Sequence, residues 1–348
     1  MPALAIASAL QESGSGVEPV LIGATRGVES RILPTRDFRF HLLPTEPIYR
    51  RSWWRNIRWP FVAGRLLREV ARLFENEAPA AVIGTGGYAS GPVVWWAARH
   101  GIPTAIQEQN AYPGLASRWL SGRVRHVYLG LPEAARLLKF GKRTQVFDTG
   151  NPITPPAPER RAAAMEKFGL DGKRPVVLVT GGSQGALAIN RAVAGWLEAG
   201  ERRPDATLIW VTGRGSHGEF ARYHRPPDVH VIDFLDPMAD GYAVADLVVS
   251  RAGMITVAEL CAWGIPSILI PLPTAASDHQ THNARVLVAA GATRLLPQSD
   301  LTPRNLGGAV TALLDDSGQR KQMSECALSR GRPLAARDIV SNLLTLVS

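Results

Sequence analysis

Residues 176–190 read VVLVTGGSQGALAIN. Val176 to Val179 form a short β-branched run of the kind buried on both faces of a parallel sheet. The run stops at Gly181-Gly182, and from Ala186 to Leu197 apolar residues recur at helical spacing. A strand, a tight glycine turn and a helix start aim free backbone N–H groups and a helix dipole at one point, which suits a phosphate or pyrophosphate. The glycines alone would equally serve a turn that merely needs positive φ. The rest of the chain has to decide between these readings.

The pattern repeats on both sides. Upstream, Pro19 to Ile22, Phe38 to Leu43, Ala81 to Gly84, Thr104 to Gln107, Val124 to Leu129 and Thr144 to Asp148 read as strands. Helical spacing falls at Pro2 to Gln11, Val62 to Phe74, Val93 to Arg99 and Pro132 to Lys139. Downstream, the strand candidates are Thr207 to Val211, His230 to Phe234, Leu247 to Ser250, Ser267 to Pro271 and Ala292 to Leu296. Pro303 to Leu314, Arg320 to Ser329 and Leu334 to Leu346 close the chain as helices. This alternation predicts an α/β protein with parallel sheets covered by helices. Between the halves, NPITPPAP (151–158) carries four prolines and reads as an interdomain linker. Two doubly wound domains are expected to face a cleft, the usual place for a ligand. The first half opens on a helix, where a doubly wound sheet usually has its central strand. The expectation is a gap in the middle of that sheet and a longer protein whose first strand precedes Met1.

At 348 residues, the chain has the length of two domains, and 45% hydrophobic with 20% charged residues is a globular composition. The two cysteines, Cys261 and Cys326, lack metal-ligand spacing and suggest no disulfide framework, which fits a reducing cytoplasm. A formal charge of +9 implies an anionic partner: nucleic acid, a bilayer or a phosphorylated substrate. The most apolar run, Ile265 to Ala276, is broken by three prolines and does not read as a membrane span. MPALAIASAL lacks a basic n-region and reads as a helix rather than a signal peptide.

Further polar clusters sit at strand ends. GTGGYASGP (84–92) is a second strand–glycine loop–helix unit, and QEQN (107–110) closes the next strand, where ligands of such sheets bind. SRAGMITVAEL (250–260) is a third glycine turn. N–H groups at Met254 to Thr256 could hold phosphate, and the Glu259 carboxylate could accept from two ribose hydroxyls. SDHQTHNA (277–284) adds His279, Gln280, His282 and Asn283, suited to sugar hydroxyls; His279 and His282 lack a third ligand nearby, so no metal is expected. YRRSWWRNIRWPF (49–61) interleaves arginines with tryptophans, and no acid occurs from Pro47 to Arg68. This composition fits a membrane interface with anionic headgroups, a stacking platform for single-stranded nucleic acid, or core packing with solvated arginines.

The ordered set PALAIA, GTGGYASGP, EQN, GNP, TGGSQGA, RAG, TVAE and HQTHNA resembles the MurG family from Pro2 almost to the C-terminus. Its members are bacterial UDP-N-acetylglucosamine–N-acetylmuramyl-(pentapeptide) pyrophosphoryl-undecaprenol N-acetylglucosaminyltransferases. The resemblance implies a GT-B fold of two Rossmann-like domains facing a cleft. Residues 1–150, with a returning C-terminal helix at about 333–348, would form the acceptor and membrane-associating domain; 151–332 would bind UDP-GlcNAc. It implies inverting transfer of GlcNAc to lipid I to form lipid II, at the cytoplasmic face of the bacterial membrane, with no cofactor, no metal and no nucleic-acid partner. By position, the donor site comprises Asn110, Thr154, Ser183, Leu235, Met254, Ile255, Thr256, Val257, Ala258, Glu259 and Gln280. Gly86, Gly87, Tyr88 and Ser90 would face the acceptor diphosphate. Arg51, Trp53, Trp54, Arg55, Ile57, Arg58 and Trp59 would meet an anionic bilayer surface.

Three positions depart from the family pattern. The first strand and GGTGGH loop, whose His is the favoured base, are absent before PALAIA; Gln107 replaces a usual His; and Thr154 replaces an Arg that reaches the donor phosphate. With that His missing, Glu108 is the surrogate catalytic base to be tested. The alternatives are a truncated chain that binds UDP-sugar without transfer, and a GT-B transferase acting on another lipid acceptor such as a diacylglycerol.

Overall fold

The computed structural model describes residues 2–27, 29–45, 59–182, 185–200 and 205–347, with only the backbone at 59–63. Two compact units are present: Met1–Ile153 with Leu334–Ser348, and Thr154–Pro333.

The first unit runs α1 (Pro2–Glu12), β1 (Val20–Ala24), α2 (Glu29–Ile32), β2 (Arg39–Leu43), α3 (Trp59–Glu77), β3 (Val82–Gly84), α4 (Ser90–Arg99), β4 (Thr104–Glu108), α5 (Leu115–Leu120), β5 (His126–Leu129) and β6 (Gln145–Phe147). Every strand pairing is parallel. The ladders form two sheets, β1-β2 and β3-β4-β5-β6, and none joins them among the described residues. This is the break expected of the first sheet. All residues of β4 and β5 are buried, as strands covered on both faces must be.

One expected helix differs. Pro132–Leu137 is a 3-10 helix, with Ala134 N–H donating to Leu131 O and Leu138 N–H to Ala135 O. The segment buries Ala134 and Leu138 and leaves Leu137 exposed, so a short tight turn places its apolar residues without a full α-helical face.

The second unit runs α6 (Arg161–Lys167), β7 (Val176–Thr180), α7 (Leu187–Glu198), β8 (Thr207–Val211), α8 (His217–Phe220), β9 (Val229–Ile232), α9 (Ala239–Val244), β10 (Leu247–Ser250), α10 (Met254–Trp263), β11 (Ser267–Leu269), α11 (His279–Ala289), β12 (Thr293–Leu295), α12 (Pro303–Asp315) and α13 (Ser317–Arg330). Its sheet is parallel, in the order β12-β11-β10-β7-β8-β9. One apolar core spans it, with Ile189, Trp210, Leu247 and Ile268 fully buried. Local chemistry sets the helix ends. The Thr302 hydroxyl accepts from Asn305 N–H and Asp316 from Gln319 N–H, capping α12 and α13. Gly264 ends α10 at φ +65, where a Cβ would also strike Leu328.

The last helix, α14 (Ala335–Leu344), belongs to the first unit. Its Ile339, Val340 and Leu343 pack with Ile6 and Leu10 of α1 and with Ala105 and Tyr128 of the four-stranded sheet.

Candidate functional site

In the second unit the chain leaves β7 toward β8 and β9, then returns to build β10 to β12 on the other side. The β7/β10 boundary is therefore the topological switch point, where ligands of open α/β sheets bind at the carboxyl ends of the strands. Thr180 pairs with Ser250 and Ser250 with Leu269, so the loops leaving β7, β10 and β11 start side by side.

The β7 turn needs its glycines. A Cβ on Gly181 would lie 2.2 Å from Ala186 N, and one on Gly185, at φ +74, would lie 2.5 Å from Thr212 O. Ser183 lies outside the described residues. At the β10 exit, Gly253 occupies the N-cap of α10 without a side-chain cap. The N–H groups of Met254, Ile255 and Thr256 therefore lack intrahelical acceptors and point where an anion would sit. Val257 faces the core at 1% exposure, so it can serve a ligand only through its backbone, while Ala258 beside it is partly exposed.

Glu259 lies further along α10, partly exposed, with Oε2 accepting from Tyr242 Oη at 3.0 Å. Burial pushes its pKa up while the Tyr242 hydrogen bond pulls it down. The β11 exit is tied to the same place. Arg251 donates to the carbonyls of Ile270 and Pro271 at 3.1 and 3.2 Å, and the buried Asn283 amide donates to Ala252 O. Asn283, expected to face sugar hydroxyls, is thus a tie within the fold. Gln280 Oε1 accepts from Leu272 N–H at 2.9 Å, which fixes the amide and leaves its NH2 group as a donor. Leu235 is buried beyond the end of β9, and Thr154 is exposed at the start of the unit.

In the first unit, Gly86 and Gly87 take φ of +94 and +80 in the loop before α4. Tyr88 is exposed there, and Ser90 opens the helix. Gln109 donates to Thr85 O at 2.8 Å, joining this loop to the β4 exit. Gln107 and Asn151 share a buried 2.8 Å hydrogen bond, and Asn151 also donates to Gln109 O. Asn110 follows directly in this loop, on the first unit rather than with the other donor candidates.

Glu108, the candidate base, sits at the exit of β4. It is 5% exposed, with Oε1 accepting from Asn110 N–H at 2.9 Å and Oε2 from Gly114 N–H at 3.0 Å. Both oxygens accept from the backbone of the loop, so the carboxylate braces that loop.

Arg51, Trp53, Trp54, Arg55, Ile57 and Arg58 lie outside the described residues; Trp59 opens α3. A second aromatic-basic face, missed from sequence, lies on α4 and α5. Trp95 stacks with Trp119 at 6.3 Å, the Arg123 guanidinium lies 5.2 Å from the Trp119 ring, and Leu115 and Trp119 are about half exposed. The spacing of Leu115 and Trp119, four apart, is the one trace of it in the sequence.

The comparisons agree with this geometry. Residues 1–129 match the glycosyltransferase family 28 N-terminal domain and residues 176–339 its C-terminal domain. A UDP-N-acetylglucosamine–N-acetylmuramyl-(pentapeptide) pyrophosphoryl-undecaprenol N-acetylglucosamine transferase from Desulforamulus reducens is 36% identical, over 97% of this chain and 93% of its own length. The protein of the same name from Carboxydothermus hydrogenoformans is 37% identical, over 94% and 88%. The crystal structure of Acinetobacter baumannii MurG superposes with a TM-score of 0.77 at 26% identity, covering 99% of this chain and 95% of that one. The fold is the GT-B architecture of two Rossmann-like domains. On motifs, fold and relatives together, the chain belongs to the MurG family of N-acetylglucosaminyltransferases.

Proposed function

We propose that this chain moves GlcNAc from UDP-GlcNAc to lipid I, with inversion at the anomeric carbon, to form lipid II. The observation that carries this reading is the uncapped N-terminus of α10 beside the Gly181–Gly185 turn, with Glu259 on the same helix. N–H groups of Met254 to Thr256 would hold the diphosphate, and Glu259 the ribose. The Leu235 backbone would meet the uracil, and the Gln280 NH2 group and Asn110 the sugar. An acceptor hydroxyl oxygen bonds to C1 as the C1–O bond to the diphosphate breaks and the electron pair leaves with UDP. Helix-terminal N–H groups stabilise the charge that develops on the departing diphosphate. The hydroxyl proton passes to a general base, for which Glu108 is the candidate in this chain, its carboxylate held in place by the Asn110 and Gly114 N–H groups. Thr154 supplies no cation to the diphosphate, so the backbone donors carry more of that charge.

The acceptor diphosphate is assigned to the loop of Gly86, Gly87, Tyr88 and Ser90, and the first unit to the cytoplasmic face of an anionic bilayer. Supporting this are the +9 charge and the exposed Leu115, Trp119 and Arg123 face, a combination that suits headgroups and the acyl boundary. No helix among the described residues is long and apolar enough to cross a membrane, so the contact would be peripheral.

The test is UDP release from UDP-GlcNAc with and without a soluble lipid I analogue. Acceptor-dependent release is the expected result. A rise in melting temperature with UDP-GlcNAc but no release would instead mark a sugar-nucleotide-binding chain without transfer. Absence of both signals would overturn the donor assignment.

A further inference from the structure

Tyr242 belongs to none of the motifs singled out from the sequence, yet its side chain ends on the donor helix. It lies on α9, is 4% exposed, and donates its hydroxyl to Glu259 Oε2 at 3.0 Å. Its ring packs 6.2 Å from Trp263 at the far end of α10. Among the described residues, Glu259 Oε1 has no hydrogen-bond partner. Burial makes the phenol hard to ionise, so it stays a donor.

The helix that carries Tyr242 is itself pinned. Asp240 is 6% exposed and pairs with Arg160 at 2.6 Å and Lys167 at 2.8 Å, and Arg161 donates to Ala243 O at 2.7 Å. Gly241 packs where a Cβ would meet Leu235 at 2.8 Å and Leu178 at 3.1 Å. One short helix therefore backs both the Leu235 position and the Glu259 carboxylate.

From this arrangement, and resting on the donor-site reading above, we infer that Tyr242 is a positioning residue for the ribose. Its hydroxyl clamps one carboxylate oxygen of Glu259 so that the other is presented to the ribose diol. A glutamate has three side-chain torsions, and an unclamped carboxylate would have to be ordered by the ligand at the ligand's expense. The clamp orders it beforehand. It also fixes which oxygen remains open, and so makes recognition depend on the 2′-hydroxyl rather than on charge alone. Tyr242 touches no ligand in this scheme and acts only through Glu259.

Titration calorimetry with UDP and 2′-deoxy-UDP tests this on wild type, Tyr242→Phe and Glu259→Gln, with melting temperatures on each sample. Wild type should prefer UDP. Tyr242→Phe should weaken UDP about five- to tenfold, the net size of one ordinary hydrogen bond, while changing 2′-deoxy-UDP less than about twofold. Equal weakening of both nucleotides, or a preference for UDP as large as in wild type, would overturn the proposal, since a packing role does not distinguish the two. Glu259→Gln separates the levels. If it leaves the preference for UDP intact, the ribose assignment of Glu259 fails; if it removes the preference while Tyr242→Phe does not, only the clamp fails.

Discussion

The two units solve the same folding problem differently. In the second, a continuous six-stranded ladder carries one apolar core, and Trp210, fully buried, closes its polar end by donating to Asn190 at 2.9 Å. In the first, the ladder is divided into sheets of two and four strands, and helices bridge the break. Ile6 and Leu10 of α1 pack with Ala105 and Tyr128 on the larger sheet, while Ala7 packs with Leu21 of β1. On α3, Leu66 and Val70 join Leu43 of β2, Ile22 of β1 and Val82 of β3. Where backbone hydrogen bonds hold the second sheet, side-chain packing of shared helices holds the first. The first unit's stability is therefore spread over several small cores.

The strongest way to break this comparison is Trp210→Ala. Removing a fully buried tryptophan should cost about 3–5 kcal/mol, and it also orphans the Asn190 carbonyl. Denaturation followed by limited proteolysis should show the second unit opening early while first-unit fragments stay protected. Simultaneous loss of both units would mean that they unfold as one. A smaller loss, about 2–4 kcal/mol, is expected for Ile339→Ala on α14, which has no exposed surface. Its effect should fall on the first unit, although residue 339 lies beyond the second in the chain. Protection lost from the second unit instead would contradict the packing of α14 on α1.

The smallest expected effect is pH dependence, with one buried histidine in each unit. Burial, then Arg125, lowers the pKa of His126; burial, then His224, lowers that of His230. Each folded site therefore takes up its proton at lower pH than the unfolded chain. Their stabilising contributions are complete above the ordinary value of 6.5 and are lost as pH falls below it. Melting between pH 7.5 and 5.5 should show this decline. His126→Gln should flatten it for the first unit and His230→Gln for the second; unchanged slopes would remove the histidines from the account.

Much of the fold was legible because apolar β-branched runs are unambiguous when both faces are covered. Val176–Thr180 and Leu247–Ser250 are entirely buried and stand where the runs stood in sequence. The glycine turns were legible for a similar reason: Gly181 and Gly185 leave no room for a side chain. Pro132–Leu137 was not, since apolar spacing over six residues does not distinguish a 3-10 helix from one and a half α-helical turns. Among the site residues, the type and order of Glu259 and Gln280 could be read, but not what fixes them. Tyr242 is 17 residues from Glu259 on a different element, and Gln280 is held by a main-chain N–H, which has no sequence signature. The bracing of Glu108 was hidden for the same reason, because its partners are backbone groups of the following loop.

The return of α14 to the first unit also sets an order on synthesis. Ile339, Val340 and Leu343 seal a core whose other walls, Ile6, Ala105 and Tyr128, emerge from the ribosome far earlier. The entire second unit is translated in between. Domains ordinarily fold as they appear, the first-made ahead of the rest. Here the later-made unit completes its core first, while the earlier one waits with an apolar face open until the final turns of helix arrive. A nascent-chain experiment would find the first unit's protection appearing last.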